Sequence, residues 1–599
     1  MRDFDEVTRH RADSKIIKRL LVYAKPYTKN FIISFILMIF DVILSSATAA
    51  LMGTAVWLIN SDMSVDRKYL FLIGIVGIFV ASLVIVIAII YFSNILLQSA
   101  GQKIVKDVRV EVFEHIEKLS LGQFNKVPVG KMITRVTNDT NTLSEMYTSV
   151  IVSLIRNLLM MIVQFVIMLV INVKVTLIMA TTIPFVAVIT FGYRKLAREQ
   201  YRRVRNENTN VNAFLQENLS GVKLTQVFNR ENKKKDEFAD ANKKLRKEQL
   251  KELVLFIIYR PLMYLLSMLA ALLVIYYVGS SVLDLVESGA SAKVVSVQVA
   301  LMVMMYQYSI DFYRPLQSIS EDFNILQSAL ASAEKVFDVL DTVPEIMDAE
   351  DAVELVDFKG EIEFKNVWFA YIEDEWVLKD ISFKINPDDT VAFVGPTGSG
   401  KTTIMNLIVR NYDVQKGQIL IDGIDIQKIK LDSLRGAIGQ MPQDVFLFTG
   451  TIKSNIAFKD DTVTDEEVIQ AAEYVGVAPF IETLPDKYDY IVRERGNNFS
   501  TGQRQLFSFA RTLVYEPTVM ILDEATASID SESEAIIQES LEKMMDISTM
   551  IVVAHRLSTI QKADRIYVLQ KGEIVEQGNH QQLLRKEGIY YSLYKLQDK

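Results

Sequence analysis

The chain has 599 residues, no cysteine and only four histidines. The first absence excludes disulfide frameworks, thiolate metal sites and cysteine nucleophiles, while leaving the cellular compartment open. Positive charge is not in excess either. Lys and Arg number 65 against 73 Asp and Glu, a net −8 that gives no global basic footprint for nucleic acid. Ahead of Ile16 there is no apolar core, and Asp3, Asp5 and Glu6 stand near the N-terminus. A cleaved signal or transit peptide is therefore not expected. What the chain does have is apolar sequence. Half of its residues are hydrophobic, concentrated before about Tyr313, with the charges concentrated after it.

A helix crossing hydrocarbon needs about 20 mostly apolar residues. Six stretches qualify: 31–58, 70–91, 151–170, 175–193, 254–278 and 294–313. Lengths of this kind rule out a large soluble core as the explanation. The third and fourth stretches nearly touch, through Asn172 and Lys174, and read as a tight helical hairpin. Basic residues crowd the segment before the first stretch (Arg2, Arg9, Arg11, Lys15, Lys18, Arg19, Lys25 and Lys29), whereas the short loops after the first and fifth carry only Arg67, Lys68 and Lys293. The positive-inside rule then puts the N-terminus in the cytoplasm, and six crossings return the chain there. Connections 92–150 and 194–253 are long, charged and helix-patterned, so spans two to five are expected to continue as helices into the cytoplasm.

Several features carry two readings. Ile16, Ile17, Leu20, Leu21 and Ala24, among basic residues, fit an interfacial helix or a plain surface helix. Lys233, Lys234 and Lys235 fit a basic recognition run or a solvated helix face. Asp41, Arg156, Arg260 and Asp311 fall inside apolar stretches and should face the bundle interior or a water-filled cavity. Asp311, behind Met302, Met304, Met305, Tyr306 and Tyr308, fits either a cation-attracting, adaptable binding surface or helix packing around one satisfied acid.

From Gly360 the pattern changes to short alternating strands. The strand 391–394 runs into Gly395, Pro396, Thr397, Gly398, Ser399, Gly400, Lys401 and Thr402. Glycines let such a loop curl its amides toward phosphate oxygens, Lys401 neutralises phosphate charge, Thr402 ligates Mg²⁺, and the following helix, from Thr403 on, aims its positive end at the anion. Downstream, 519–523 is an apolar strand ending in Asp523, placed to hold Mg²⁺ opposite the loop, with Glu524 beside it as a candidate general base. His555 follows another apolar strand, 549–553, and would reach the same sheet edge.

These residues resemble the ABC transporters. Phe499, Ser500, Thr501, Gly502 and Gln503 are similar to the family signature, Gln443 to the Q-loop residue that contacts Mg²⁺, and Tyr371 to the aromatic that stacks on adenine. Residues 492–496 resemble the X-loop of exporters, Ser528, Ile529 and Asp530 the D-loop, and His555 the switch histidine. The matching order spans 360–585, and the six-span half resembles the type IV exporter fold. The resemblance implies a multi-domain chain, an all-α six-helix transmembrane domain (1–325), a linker (326–357) and an α/β P-loop nucleotide-binding domain (358–599). It implies ATP and Mg²⁺ as cofactors and a multi-pass place in the bacterial plasma membrane with the ATPase in the cytoplasm. Glu524, His555, Lys401 and Gln443 would be catalytic. Two chains would sandwich two ATPs between phosphate loop and opposed signature, with coupling helices around 122–127 and 206–214 docking near the Q-loops.

The departure is Thr501. The signature usually reads Leu-Ser-Gly-Gly-Gln, and a β-branched residue in place of its first glycine adds bulk and restricts φ. This chain's own half-site looks complete while the site served by its signature looks impaired, a pattern similar to one subunit of heterodimeric bacterial exporters. A second exporter half-subunit, in a heterodimer favoured over a homodimer with a tolerated variant signature, is the expected partner, with the lipid bilayer and an amphipathic small molecule (a drug or a lipid). Peptide or lipid-linked cargo, an ATP-gated channel or regulator, and import are the alternatives the resemblance leaves open. A cysteine peptidase domain is excluded by composition.

Overall fold

The computed structural model describes residues 13–61, 63–442, 444–458, 462–523, 531–545, 548–553 and 560–597. It separates into two compact units, Met1–Glu117 with Gly130–Thr342, and Lys118–Val129 with Val343–Lys599.

Among the described residues the first unit is built of helices and short turns, and six of the helical runs are long and apolar enough to cross a membrane. At 1.5 Å per residue, the 53-residue helix Val65–Glu117 and the 57-residue helix Glu231–Glu287 are about 80 and 85 Å long. That is more than twice a hydrocarbon core of about 30 Å, so both run well past it, as their charged halves require. The expected hairpin is present. Helix Ile151–Ile171 ends at Asn172, whose extended backbone reverses the chain and whose side chain accepts the Val175 amide at 3.2 Å, capping Val173–Ala180. The second cytoplasmic excursion differs from expectation. Residues 206–214 lie inside the straight helix Ile183–Ser220, and the turn comes later, where Gly221 ends that helix and a short helix, Val222–Val227, follows. The unbroken charged pattern of 194–219 gives no sign of where the reversal falls; Gly221 is the only local signal.

The intramembrane charges find partners inside the unit. Asp41 is buried and accepts from Arg156 Nε at 2.6 Å and from Ser45 at 3.1 Å. Asp311 accepts from Gln307 at 2.9 Å and lies 3.8 Å from Arg314, and Arg260 stacks over Phe256. Helices 151–171 and 292–340 are further stitched by Ser153 to Asp322 (2.6 Å) and Asn157 to Ser318 (2.9 Å). This favours the packing reading of Asp311 over an open cation site. Lys234 pairs with Glu237 at 2.9 Å, as a solvated helix face does. Helix Asp13–Ala24 buries Ile16 and Leu20 but leaves Ile17, Leu21 and Val22 exposed, an amphipathic segment fixed by Arg19 to Asp341 at 2.6 Å and Tyr23 to Glu111 at 2.7 Å.

In the second unit a six-stranded sheet has the order Glu573–Gly578, Arg565–Gln570, Thr390–Val394, Thr549–Val553, Val519–Asp523, Ile438–Met441. All neighbours are parallel except the first pair. The inner strands are apolar on both faces because both are covered. Val391 and Phe393 face a core shared with a four-stranded antiparallel sheet, while Ala392 and Val394 face a helical core containing Leu506, Phe507 and Ile537. The stretch 343–357 is pinned to this unit. Val353 exchanges backbone bonds with Lys428 and Lys430, and Arg410 donates to the Met347 carbonyl at 3.1 Å. Thus the unit boundary falls within 326–357, after Thr342.

Asp41→Leu should strand Arg156 without its counter-charge and cost about 2 kcal/mol, less than a fully buried pair because the Arg156 side chain is 43% exposed. Adding Arg156→Leu should recover most of the lost thermal stability of the detergent-solubilised protein. A double variant as unstable as the sum of the two singles would contradict the pairing.

Candidate active site

Four parallel strands bring the sequence motifs to one edge. Thr390–Val394 leads into the phosphate loop, Val519–Asp523 ends on Asp523, and Thr549–Val553, which precedes His555, lies between them. Ile438–Met441, two residues before Gln443, flanks Val519–Asp523. Ligands of open parallel sheets bind at the carboxyl ends of the strands, and these are those ends. Gln443, Glu524, His555 and the segment 528–530 lie outside the described residues.

Loop 395–400 carries Gly398 at φ +80° and Gly400 at φ +108°, left-handed values that a side chain would strain. At Gly400 a Cβ would also strike Leu378 Cδ2 at 2.5 Å. Gly400 caps helix Lys401–Ile408, so the helix N-terminus opens on the loop. Lys401 is buried, and its Nζ donates to the carbonyls of Gly395 (2.8 Å) and Pro396 (3.1 Å). Burial pushes its ammonium below the ordinary lysine range, opposed by the Asp523 carboxylate. Thr402 Oγ1 donates to Asp523 Oδ2 at 3.2 Å.

This donor set fits a Mg²⁺-nucleotide. Thr402 and Asp523 offer two hard oxygens side by side, suited to Mg²⁺, and Ser399 Oγ is buried without a hydrogen-bond partner in the loop itself. Pro396 and Thr397 complete the loop ahead of Gly398. Tyr371 is 45% exposed, and its hydroxyl meets Thr403 Oγ1 at 3.1 Å, so its ring stands beside the first turn of the phosphate-loop helix.

The signature opens helix Thr501–Leu513. Ser500 and Gln503 form a capping box, with Ser500 Oγ accepting the Gln503 amide at 3.2 Å and Gln503 Oε1 accepting the Ser500 amide at 2.9 Å. Gly502 is buried behind them. Thr501 has ordinary helical backbone, so the expected restriction of φ does not arise here. What remains is bulk. Thr501 is exposed at the helix start, and its hydroxyl accepts from Arg504 at 3.2 Å.

Three residues that the motifs did not single out organise the surroundings. Arg504 also donates to the Phe499 carbonyl at 3.2 Å and to Gly496 at 3.4 Å, joining signature to X-loop. Arg511 donates to the Asn455 carbonyl (2.7 Å) and the Phe446 carbonyl (3.0 Å) and stacks over Phe458, fixing the loop that follows Gln443. Tyr412 packs edge-on against Tyr371, with ring centroids 5.1 Å apart. A cation inside a strongly amphipathic helix was the only sequence signal for Arg511; Tyr412 offered none.

Lys401→Ala should weaken ATP binding roughly 10- to 100-fold, the loss of a charge-assisted phosphate contact, while leaving the helical circular dichroism unchanged. Unchanged ATP affinity would remove Lys401 from the site.

Residues 31–307 match the ABC transporter transmembrane region family, and residues 378–527 match the ABC transporter family. The chain is 36% identical to an ATP-dependent lipid A-core flippase of Syntrophus aciditrophicus, over 98% of this chain and 95% of that protein. It is 33% identical to a fatty acid ABC transporter ATP-binding/permease protein of Mycobacterium bovis, over 83% and 77%. A bacterial Atm1-family ABC exporter solved with ATP bound superposes with a TM-score of 0.79 at 26% identity, covering 94% of this chain and 98% of that one. The chain therefore belongs to the ABC transporters, as a multi-pass plasma-membrane exporter chain that carries its own cytoplasmic ATP-hydrolysing domain.

Proposed function

We propose that this chain is one half of a two-chain exporter that moves amphipathic small molecules, drugs or lipids, from the cytoplasm or inner leaflet by alternating access. The observation that carries the reading is the cluster of Lys401, Thr402 and Asp523 at one sheet edge, in a chain whose signature residues Ser500 and Thr501 are exposed. Two signature residues exposed on their own cassette are available to a nucleotide held by another. The amphipathic cargo is supported by relatives named for lipid A-core and fatty acid transport.

In this reading the loop from Gly395 to Thr403 holds the phosphates, Tyr371 offers its ring to the adenine, and Lys401 neutralises developing charge. Thr402 and Asp523, with Gln443, would hold Mg²⁺, which when bound would supply charge neutralisation to the phosphates. Glu524 would accept the proton of the attacking water, and His555 would contact the γ-phosphate. Ser500, Thr501, Gly502 and Gln503 would close over the partner's nucleotide.

Two exposed apolar surfaces support association with a second chain. Leu219, Val222, Leu224, Val227 and Phe228 crowd the turn around helix Val222–Val227, and all are exposed. Phe448 meets Phe446 edge-on and stacks on Phe458, with centroids 4.8–4.9 Å apart, an exposed aromatic cluster downstream of Gln443. In the proposed assembly the first seats on a partner's version of the second. The bulk of Thr501 favours a heterodimer in which the site served by this signature turns over slowly.

Thr501→Gly tests the pairing. In the assembled transporter it should raise steady-state ATPase about twofold, by waking the weak site, and the chain purified alone should hydrolyse ATP slowly. Full activity of the lone chain, with no response to Thr501→Gly, would replace the heterodimer by a homodimer.

A further inference from the structure

The short helix Leu121–Lys126 interrupts the membrane unit in sequence yet belongs to the cassette unit by its contacts. Gln123 explains why. Its Oε1 accepts from the amides of Ser120 and Glu345, both at 3.1 Å, and its Nε2 donates to the Val343 carbonyl at 2.8 Å. Glu345 answers with both carboxylate oxygens, taking Ser120 Oγ at 3.3 Å and Lys126 Nζ at 3.1 Å. Residues 343–345 follow closely on the helix that continues span six, which ends at Leu340. Two separate exits from the membrane helices are therefore tied into one joint.

The joint rests on Tyr412. The Asn125 side chain is hydrogen-bonded to the Tyr412 hydroxyl. A Cβ on Gly122 would come within 2.9 Å of the Tyr412 ring, so the glycine is what allows the helix to lie against it. The same ring meets Tyr371 at 5.1 Å, near-perpendicular, and Phe369 at 5.6 Å. Edge-to-face contact of this kind is directional, so a turn of one ring displaces the other.

We propose that Tyr412 is a positioning residue that reads whether a base lies on Tyr371 and passes that state to the joint of Ser120–Lys126 with Val343–Glu345. The proposal rests on the reading of Tyr371 as the adenine platform. It makes base occupancy, and not only closure on the γ-phosphate, a signal felt by two membrane exits at once. Because Gln123 holds both exits while touching neither the rings nor the phosphate loop, it separates the signal from nucleotide binding.

The absence of cysteine in this chain lets two chosen positions of it be labelled. Val65→Cys and Ser288→Cys, both exposed beside connections between membrane helices, are spin-labelled in the full transporter reconstituted in lipid. The label distance is then followed as ATP is added, alongside ATP hydrolysis. In this background Gln123→Ala should keep basal ATPase and ATP KM within about twofold yet lose most of the ATP-induced change. Tyr412→Ala should raise the KM for ATP roughly three- to tenfold, the worth of one aromatic contact, and blunt the distance change even at saturating ATP. Tyr412→Phe, which keeps the rings and drops the Asn125 bond, should retain the KM and lose part of the change.

A full distance response in Gln123→Ala and in Tyr412→Phe would overturn the relay while leaving the ATP site standing. An unaltered KM in Tyr371→Ala would overturn the adenine platform itself, and the relay with it. Equal loss of response, KM and thermal stability in Gln123→Ala would show a merely structural joint and overturn the proposal as well.

Discussion

The hydrogen bond from Thr402 to Asp523 joins residues 121 positions apart, and much of the cassette serves to make it possible. It requires Thr390–Val394 and Val519–Asp523 to run parallel and end at the same level, and Thr549–Val553 pairs in register with both. It requires strands apolar on both faces, since the sheet is buried between two cores. It also requires a loop that turns from strand to helix within six residues, which the left-handed glycines supply. With these in place, a buried lysine, a hydroxyl, a carboxylate and a helix N-terminus converge on one point without further machinery.

The membrane half obeys a different solvent. In it every backbone polar group must be satisfied within the protein, so its described residues are overwhelmingly helical, and the ionisable side chains within its apolar stretches have charged, amide or aromatic partners. The pairing of Asp41 with Arg156 and the pairs between helices 151–171 and 292–340 are directional polar ties in a largely apolar bundle. Their role is to fix which helices are neighbours, since apolar side chains in lipid do not discriminate between partners.

How much of this was legible in the sequence depended on range. The phosphate loop is a local pattern with a local reason, and 395–402 could be read directly. Asp523 could be read because the apolar strand before it announces a buried, parallel position. The spans followed from length alone. The turn at Gly221 was missed because charged helices of the cytoplasmic excursion look the same on either side of it. Tyr412, Gln123 and Glu345 were missed for a deeper reason. Their meaning lies in contacts across 220 or more residues, which no spacing rule encodes. Thr501 was half legible: the missing glycine was visible, but only the helical backbone shows that its cost is bulk and not strain.

The central claim is that this chain completes its own hydrolytic half-site, with Glu524 beside Asp523. The measurement that meets it most directly is Mg²⁺-dependent ATPase of the reconstituted transporter carrying Glu524→Gln. The account predicts a fall of at least about 100-fold, the usual contribution of a general base, with ATP binding retained. Turnover within a fewfold of the unmodified protein would contradict it.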